Sequence, residues 1–203
     1  MRVLELFKGS GSITNYYKDR DDVEIISLDY NSKYNPTICC DIMEFDYKQY
    51  PVNHFDIIWA SPECILFSTL QYTHIGRKWD NKEHLINEQK KNVKYILKTI
   101  ELIEYLKPTY YYIENPARSM IWNYIDNYDI SKKFVICDYC VFGFNYRKRT
   151  KILTNRNLDN MLCIKTKHDV NIGIYKKGQK GTYPNKLTDR YSIPLKLLEY
   201  LLD

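Results

Sequence analysis

The chain has 203 residues, 44% hydrophobic and 27% charged, the balance of a globular domain with one sizeable core or one core plus a short appendage. No stretch approaches the roughly 20 apolar residues of a membrane span. The N-terminal MRVLELFKGSGS has one basic residue and then an apolar run too short for a secretory signal, so an intracellular protein is expected. The net charge of +5 suits a polyanionic partner, because neutralising phosphates releases counterions. Positive charge concentrates late, in Arg147, Lys148, Arg149 and Lys151 and again in Lys176, Lys177, Lys180 and Lys186.

The first apolar run, Val3 to Phe7, ends in Lys8-Gly9-Ser10-Gly11 and leads into a helix from Ser12 to Lys18. Further short runs follow at Glu24 to Leu28, Cys39 to Ile42 and Phe55 to Ala60, each stopping where turn-forming or polar residues begin. Leu85, Val93, Ile96, Leu97, Ile100, Ile103 and Leu106 recur at helical spacing, which predicts one long helix over 83–106, closed by Pro108. Tyr110 to Ile113, Phe134 to Cys137 and Lys151 to Leu153 read as later strands. Strands alternating with helices predict an α/β, doubly wound sheet. Ligands of such sheets sit beyond the carboxyl ends of the strands. Gly9, Gly11, Asp29, Asp41, Cys64 and Glu114 all follow apolar runs, which directs them to one crevice.

The six cysteines (39, 40, 64, 137, 140 and 163) do not suggest a disulfide framework in an intracellular chain. Cys137-x-x-Cys140 supplies only two of the four ligands of a structural zinc, and Cys39 and Cys40 are merely adjacent. These thiols read as reduced and partly buried, with no metal expected. Cys64 differs in position, following a strand and the turn Ser61-Pro62-Glu63. Glu114 ends a mostly apolar strand, where burial favours a protonated carboxyl able to give a proton to a ring nitrogen. Together the two residues make a nucleophile and an acid. A Gly-x-Gly loop after a strand lets backbone approach a ligand closely, and an Asp at the next strand end can accept both hydroxyls of a ribose. No Lys-Ser/Thr pair follows the glycines, which excludes a P-loop.

In order, Phe7-Lys8-Gly9-Ser10-Gly11, Asp29, Asp41-Ile42, Ser61-Pro62-Glu63-Cys64, Glu114-Asn115-Pro116 and Arg147-Lys148-Arg149-Thr150-Lys151 resemble the cytosine-5 DNA methyltransferase family, in a small, truncated form of viral or phage type. The resemblance covers about three-quarters of the chain. It implies a Rossmann-like catalytic domain over 1–155 that binds S-adenosylmethionine through Phe7, Gly9, Gly11, Ser12, Asp29, Tyr30, Asp41, Ile42, Ser61 and Pro62. It also implies Cys64 as nucleophile, Glu114 as partner of the base's N3 and amino group, and Arg149 in support. Ser68, Arg147, Lys148 and Lys151 would meet nucleic acid. The family's chemistry adds a thiolate at C6 of a flipped cytosine, methylates C5 and then expels the thiol.

Three departures stand out. Pro62-Glu63-Cys64-Ile65 replaces the family's Pro-Pro-Cys-Gln, and an outward-facing Glu63 would be harmless. Lys151 stands where the family has a second arginine, keeping the charge but losing a bidentate contact. Only a short stretch, 156–203, follows in place of a full target-recognition domain, ending in a helix expected to pack back on the catalytic domain. Weak or short sequence preference, steep salt dependence, or recognition supplied by a partner chain or homodimer is therefore expected. Rival readings are a transfer-RNA methyltransferase of the same family and a catalytically silent homologue that binds cofactor or DNA for a partner. An amino-methyltransferase is disfavoured, because Ser61-Pro62-Glu63-Cys64 lacks the second proline and the stacking aromatic ring.

Overall fold

Alternation along the central strands divides the apolar side chains between two faces. Parallel strands covered by helices on both sides need that division. In the computed structural model, which describes residues 1–125, 130, 133–165, 168 and 191–203, strands β1 (Arg2–Leu6), β4 (Ile57–Ala60) and β5 (Tyr110–Pro116) form the centre of a seven-stranded sheet. Val3, Ile57, Trp59 and Tyr112 join one core with Ile13, Leu197 and Leu201. Leu4, Leu6, Ile58, Ala60 and Ile113 join the other with Ile96, Ile100 and Leu106. Lys176, Lys177, Lys180 and Lys186 lie outside the described residues.

With β2 (Glu24–Asp29), β3 (Ile38–Cys39), β6 (Lys133–Asp138) and β7 (Arg149–Thr154), the sheet order is β3-β2-β1-β4-β5-β7-β6. All pairings are parallel except those of β7, which runs antiparallel to β5 and β6. Helix α1 (Ser12–Tyr17) follows β1. The single helix expected over 83–106 is two, α2 (Lys82–Asn92) and α3 (Lys94–Leu106). The apolar stripe belongs to α3. The polar α2 buries only Leu85 and Gln89, so periodicity extended the stripe one element too far.

The chain closes with α4 (Leu195–Leu202), which buries Leu197, Leu198 and Leu201 and packs against α1 and the 3-10 turn Tyr139–Phe142. Leu201 also accepts a hydrogen bond on its carbonyl from the Tyr112 hydroxyl (2.6 Å). Leu201→Ala is expected to cost about 2–5 kcal/mol of unfolding free energy, the range for a large-to-small core substitution. Denaturant unfolding of the two proteins measures it.

Candidate active site

The glycine loop is built by left-handed backbone. Phe7, Gly9 and Gly11 have φ of 57°, 49° and 69°. A Cβ added at Gly11 would be strained by that φ and would crowd the Lys8 side chain at 3.3 Å. Gly11 also begins α1 and offers no side chain to cap it. Glu5 does so from β1, accepting the amides of Ile13 (3.0 Å) and Thr14 (3.1 Å) and the Thr14 hydroxyl. Burial pushes the Glu5 carboxyl up, and these donors oppose the shift. A lone Glu in an apolar strand gave no hint of this role, because its partners lie eight and nine residues on. Asp29, at the end of β2, accepts the Gly9 amide (3.0 Å) and the Asn31 amide (2.8 Å), fixing the loop against the neighbouring strand end.

Beyond these strand ends lies a cavity of about 350 Å³. Phe7, Gly9, Ser12, Asp29, Tyr30, Ser61, Pro62, Cys64, Glu114 and Lys148 all line it. A second cavity, of about 360 Å³, shares Phe7, Asp29, Tyr30 and Pro62 and adds Asp41, Ile42 and Ile96. Gly11 lies behind this wall, at the helix start. The C-terminal segment closes the first cavity through Tyr191 and Ile193, and the Ile193 amide donates to Ser12 Oγ (3.1 Å).

Cys64 sits in a loop whose carbonyls are held from three directions. Buried Asn115 donates through Nδ2 to Pro62 O (2.8 Å), Gln71 to Ile65 O (2.9 Å) and Gln89 of α2 to Leu66 O (3.0 Å). Gln71 is itself fixed by the Trp79 indole (3.0 Å), so Gln71 and Trp79 are buried while most of the 69–79 segment stays exposed. Three amides from distant positions are not visible as a motif. Asn115→Ala leaves Pro62 O unpaired, but it also removes Asn115 Oδ1, which is buried without a partner. The expected loss is toward the lower end of about 1–3 kcal/mol, read from thermal unfolding.

Glu114 is 7% exposed, and its Oε1 accepts from the Thr150 hydroxyl and, at 3.4 Å, from the Tyr139 hydroxyl. Tyr139 is fully buried, and burial together with the Glu114 charge keeps its hydroxyl protonated. Burial likewise pushes the Cys64 thiol up; the Glu114 charge adds to this and Lys148 opposes it. Glu63 is exposed yet lines both cavities, and its charge is the last of the named influences on the Cys64 thiol.

The basic run is deployed differently from expectation. Strand alternation points Thr150 and Ile152 to the Glu114 face and Arg149 and Lys151 to the other. Arg149 therefore does not support the Cys64 cavity. It makes a bidentate pair with buried Asp138 (2.8 and 2.7 Å), which Arg147 joins at 3.2 Å. Lys151 lies over the rings of Phe134 (3.6 Å) and Trp122 (5.1 Å), on the Arg149 face of the strand. Lys148, just before β7, lines the cavity together with Lys8, and its ammonium is 4.6 Å from the Tyr139 ring centre. Ser68 caps the 3-10 turn Thr69–His74 through the Leu70 amide (3.2 Å). Arg118, not foreseen from sequence, lines a shallow basic concavity with Pro116, Arg147 and Arg149.

The strand order with its antiparallel β7, the glycine loop and the acidic strand ends define a Rossmann-like methyltransferase fold. Solved structures share it. The Entamoeba histolytica methyltransferase EhMeth matches with TM-score 0.56 and 18% identity, over 79% of this chain and 56% of its own. The S. pombe Dnmt2 methyltransferase matches with TM-score 0.50 and 17% identity, over 81% and 52%. The chain thus spans about half the length of the solved structures it matches. No family model matches it. The probable DNA (cytosine-5)-methyltransferase of Frog virus 3 (isolate Goorha) is 32% identical over 159 residues, covering 76% of this chain and 71% of the viral protein. The chain belongs to the cytosine-5 DNA methyltransferase family.

Proposed function

We propose that the chain transfers a methyl group from S-adenosylmethionine to C5 of cytosine in DNA, with Cys64 as the attacking group. The observation that carries this reading is the single cavity that presents Cys64 and Glu114 together beside the Gly9–Asp29 wall. The residues present fit the cofactor. A Cβ at Gly9 would meet nothing nearer than Phe7 O at 3.8 Å, so that wall is bare backbone. Asp29 offers a carboxylate at the junction of the two cavities, and Ile42 and Ile96 give the second an apolar wall suited to a purine. When bound, S-adenosylmethionine supplies an electrophilic methyl group.

The chain's own residues do the rest. Cytosine C5 is not nucleophilic until a thiolate adds at C6. Cys64 forms that bond, and Glu114 holds a proton at N3 as charge develops on the ring. Tyr139 and Thr150 fix the Glu114 carboxyl, and Lys148 favours the thiolate over the thiol. Once C5 carries the methyl group, its proton passes to solvent and the C5–C6 double bond re-forms, expelling the Cys64 thiolate. The target base must leave the duplex, at a cost of a few kcal/mol.

Methyl transfer from labelled S-adenosylmethionine to duplex DNA and to transfer RNA, with the modified nucleoside identified by mass spectrometry, tests the reading. 5-Methylcytosine in DNA supports it, label on RNA alone transfers it to RNA, and label on neither overturns it. Arg118, Arg147 and Arg149 form the proposed phosphate-contacting rim. Arg118→Ala is expected to weaken binding evenly across DNA sequences. It should also reduce the slope of log affinity against log salt by about 0.9 per lost phosphate contact. Fluorescence anisotropy across a salt series measures this.

A further inference from the structure

Three ligand-type side chains converge beyond the end of β6, away from the Cys64 cavity. Cys140 lies in the 3-10 turn Tyr139–Phe142. Cys163 and His168 follow the bridge Cys137↔Met161, which lays the chain after β7 alongside β6. His168 Nε2 is 3.2 Å from Cys140 Sγ and 3.4 Å from Cys163 Sγ, and the three atoms lie within 4.8 Å of one another. All three residues are half-buried. Two ligands of one tetrahedral zinc, each at 2.0–2.3 Å, stand about 3.5–3.8 Å apart, so the two sulfur–nitrogen distances need to change by only a few tenths of an ångström.

We propose that Cys140, Cys163 and His168 bind one zinc ion that ties the segment after β7 to the Tyr139 turn. The donor set is two soft sulfurs and an imidazole nitrogen, the chemistry that favours zinc over calcium or magnesium. Both thiols are free. Cys137, the other member of the Cys-x-x-Cys pattern, is fully buried in a sheet core and is not part of the cluster. The arm spacing is Cys163-x4-His168, with Cys140 donated from a neighbouring turn, which is why the pattern is invisible as a sequence motif. Among the described residues no fourth Cys, His, Asp or Glu joins the group. Binding displaces one proton from each thiol and uses the Nε2 lone pair of a neutral His168, whose ring proton then sits on Nδ1. The immediate scaffold is in place: the Cys163 amide donates to Asp138 (2.9 Å), which Arg149 grips from the other side. Cys140 follows Tyr139, so the ion would brace the turn whose hydroxyl reaches Glu114.

Zinc content of the full chain, purified with zinc and then desalted, is the test, with cobalt(II) exchanged into the site as the reporter. About one equivalent of zinc per chain is expected, and the cobalt form should show a thiolate-to-cobalt charge-transfer band with ligand-field bands of tetrahedral intensity. Cys140→Ser, Cys163→Ser and His168→Gln should each lower zinc content at least about tenfold, whereas Cys39→Ser, at an exposed thiol, should retain it. The wild-type cobalt spectrum stands whether or not a variant folds. Zinc below about one-tenth of an equivalent in the wild type, a cobalt spectrum without the charge-transfer band, or full zinc retention in both cysteine variants overturns the proposal.

Discussion

Cys64→Ala is expected to lower methyl transfer by about 10⁴-fold or more, the scale on which losing a nucleophile falls, while cofactor binding stays within about twofold. The side chain lines the cavity without taking part in the hydrogen bonds that shape its loop. Asn115, Gln71 and Gln89 hold the carbonyls of residues 62, 65 and 66 whatever residue 64 is. The decisive measurement is trapping. With duplex DNA carrying 5-fluorocytosine, the wild type should form an adduct that survives denaturing electrophoresis, because fluorine at C5 cannot leave as the proton does and the Cys64–C6 bond persists. Cys64→Ala should form none. A wild type that binds S-adenosylmethionine and this DNA yet gives no adduct is a silent homologue serving a partner, and the catalytic proposal fails.

Glu114→Gln should move two properties of the site in opposite directions. Gln can still accept from Thr150 and Tyr139, but it cannot hold a transferable proton at the pyrimidine N3. Methyl transfer should therefore fall by about 10²–10⁴-fold, the range for loss of a general acid. The charge on Glu114 is the second of the influences that raise the Cys64 thiol, after burial. Removing it lowers the thiol toward its ordinary range, so the thiolate fraction at neutral pH rises. Iodoacetamide should thus alkylate Cys64 faster in Glu114→Gln than in the wild type, and its pH midpoint should shift down. A variant with slower alkylation as well as slower methylation has lost the loop's geometry instead, and the assignment of Glu114 as proton holder would not survive that result.

Much of the site was legible because its residues announce themselves by place. A glycine pair, an aspartate, a cysteine and a glutamate each follow an apolar run, and in a doubly wound sheet strand ends share one rim. The same logic misassigned the basic run. Arg149 and Lys148 are adjacent, so only the register of β7 against β5 decides which of them lies on the Glu114 side of the sheet. A one-residue change of register exchanges the faces of a strand, and nothing local in Arg147-Lys148-Arg149 specifies it. Registered as observed, the strand puts Lys148 at the cavity and turns Arg149 onto Asp138.

By itself the amino-acid sequence determined the alternation of strands and helices, the division of apolar residues between two sheet faces and the strand ends at which chemistry-bearing residues stand. Each depends on neighbours within one or two turns of chain. Tertiary structure alone decided the three amides around Cys64, the Glu5 cap on α1, the Thr150 and Tyr139 donors to Glu114, and the meeting of Cys140 with Cys163 and His168. Most of these pair residues far apart in the chain, and all of them wait on how the strands are ordered and registered. That choice is made by the burial of both sheet faces together and is written in no single segment.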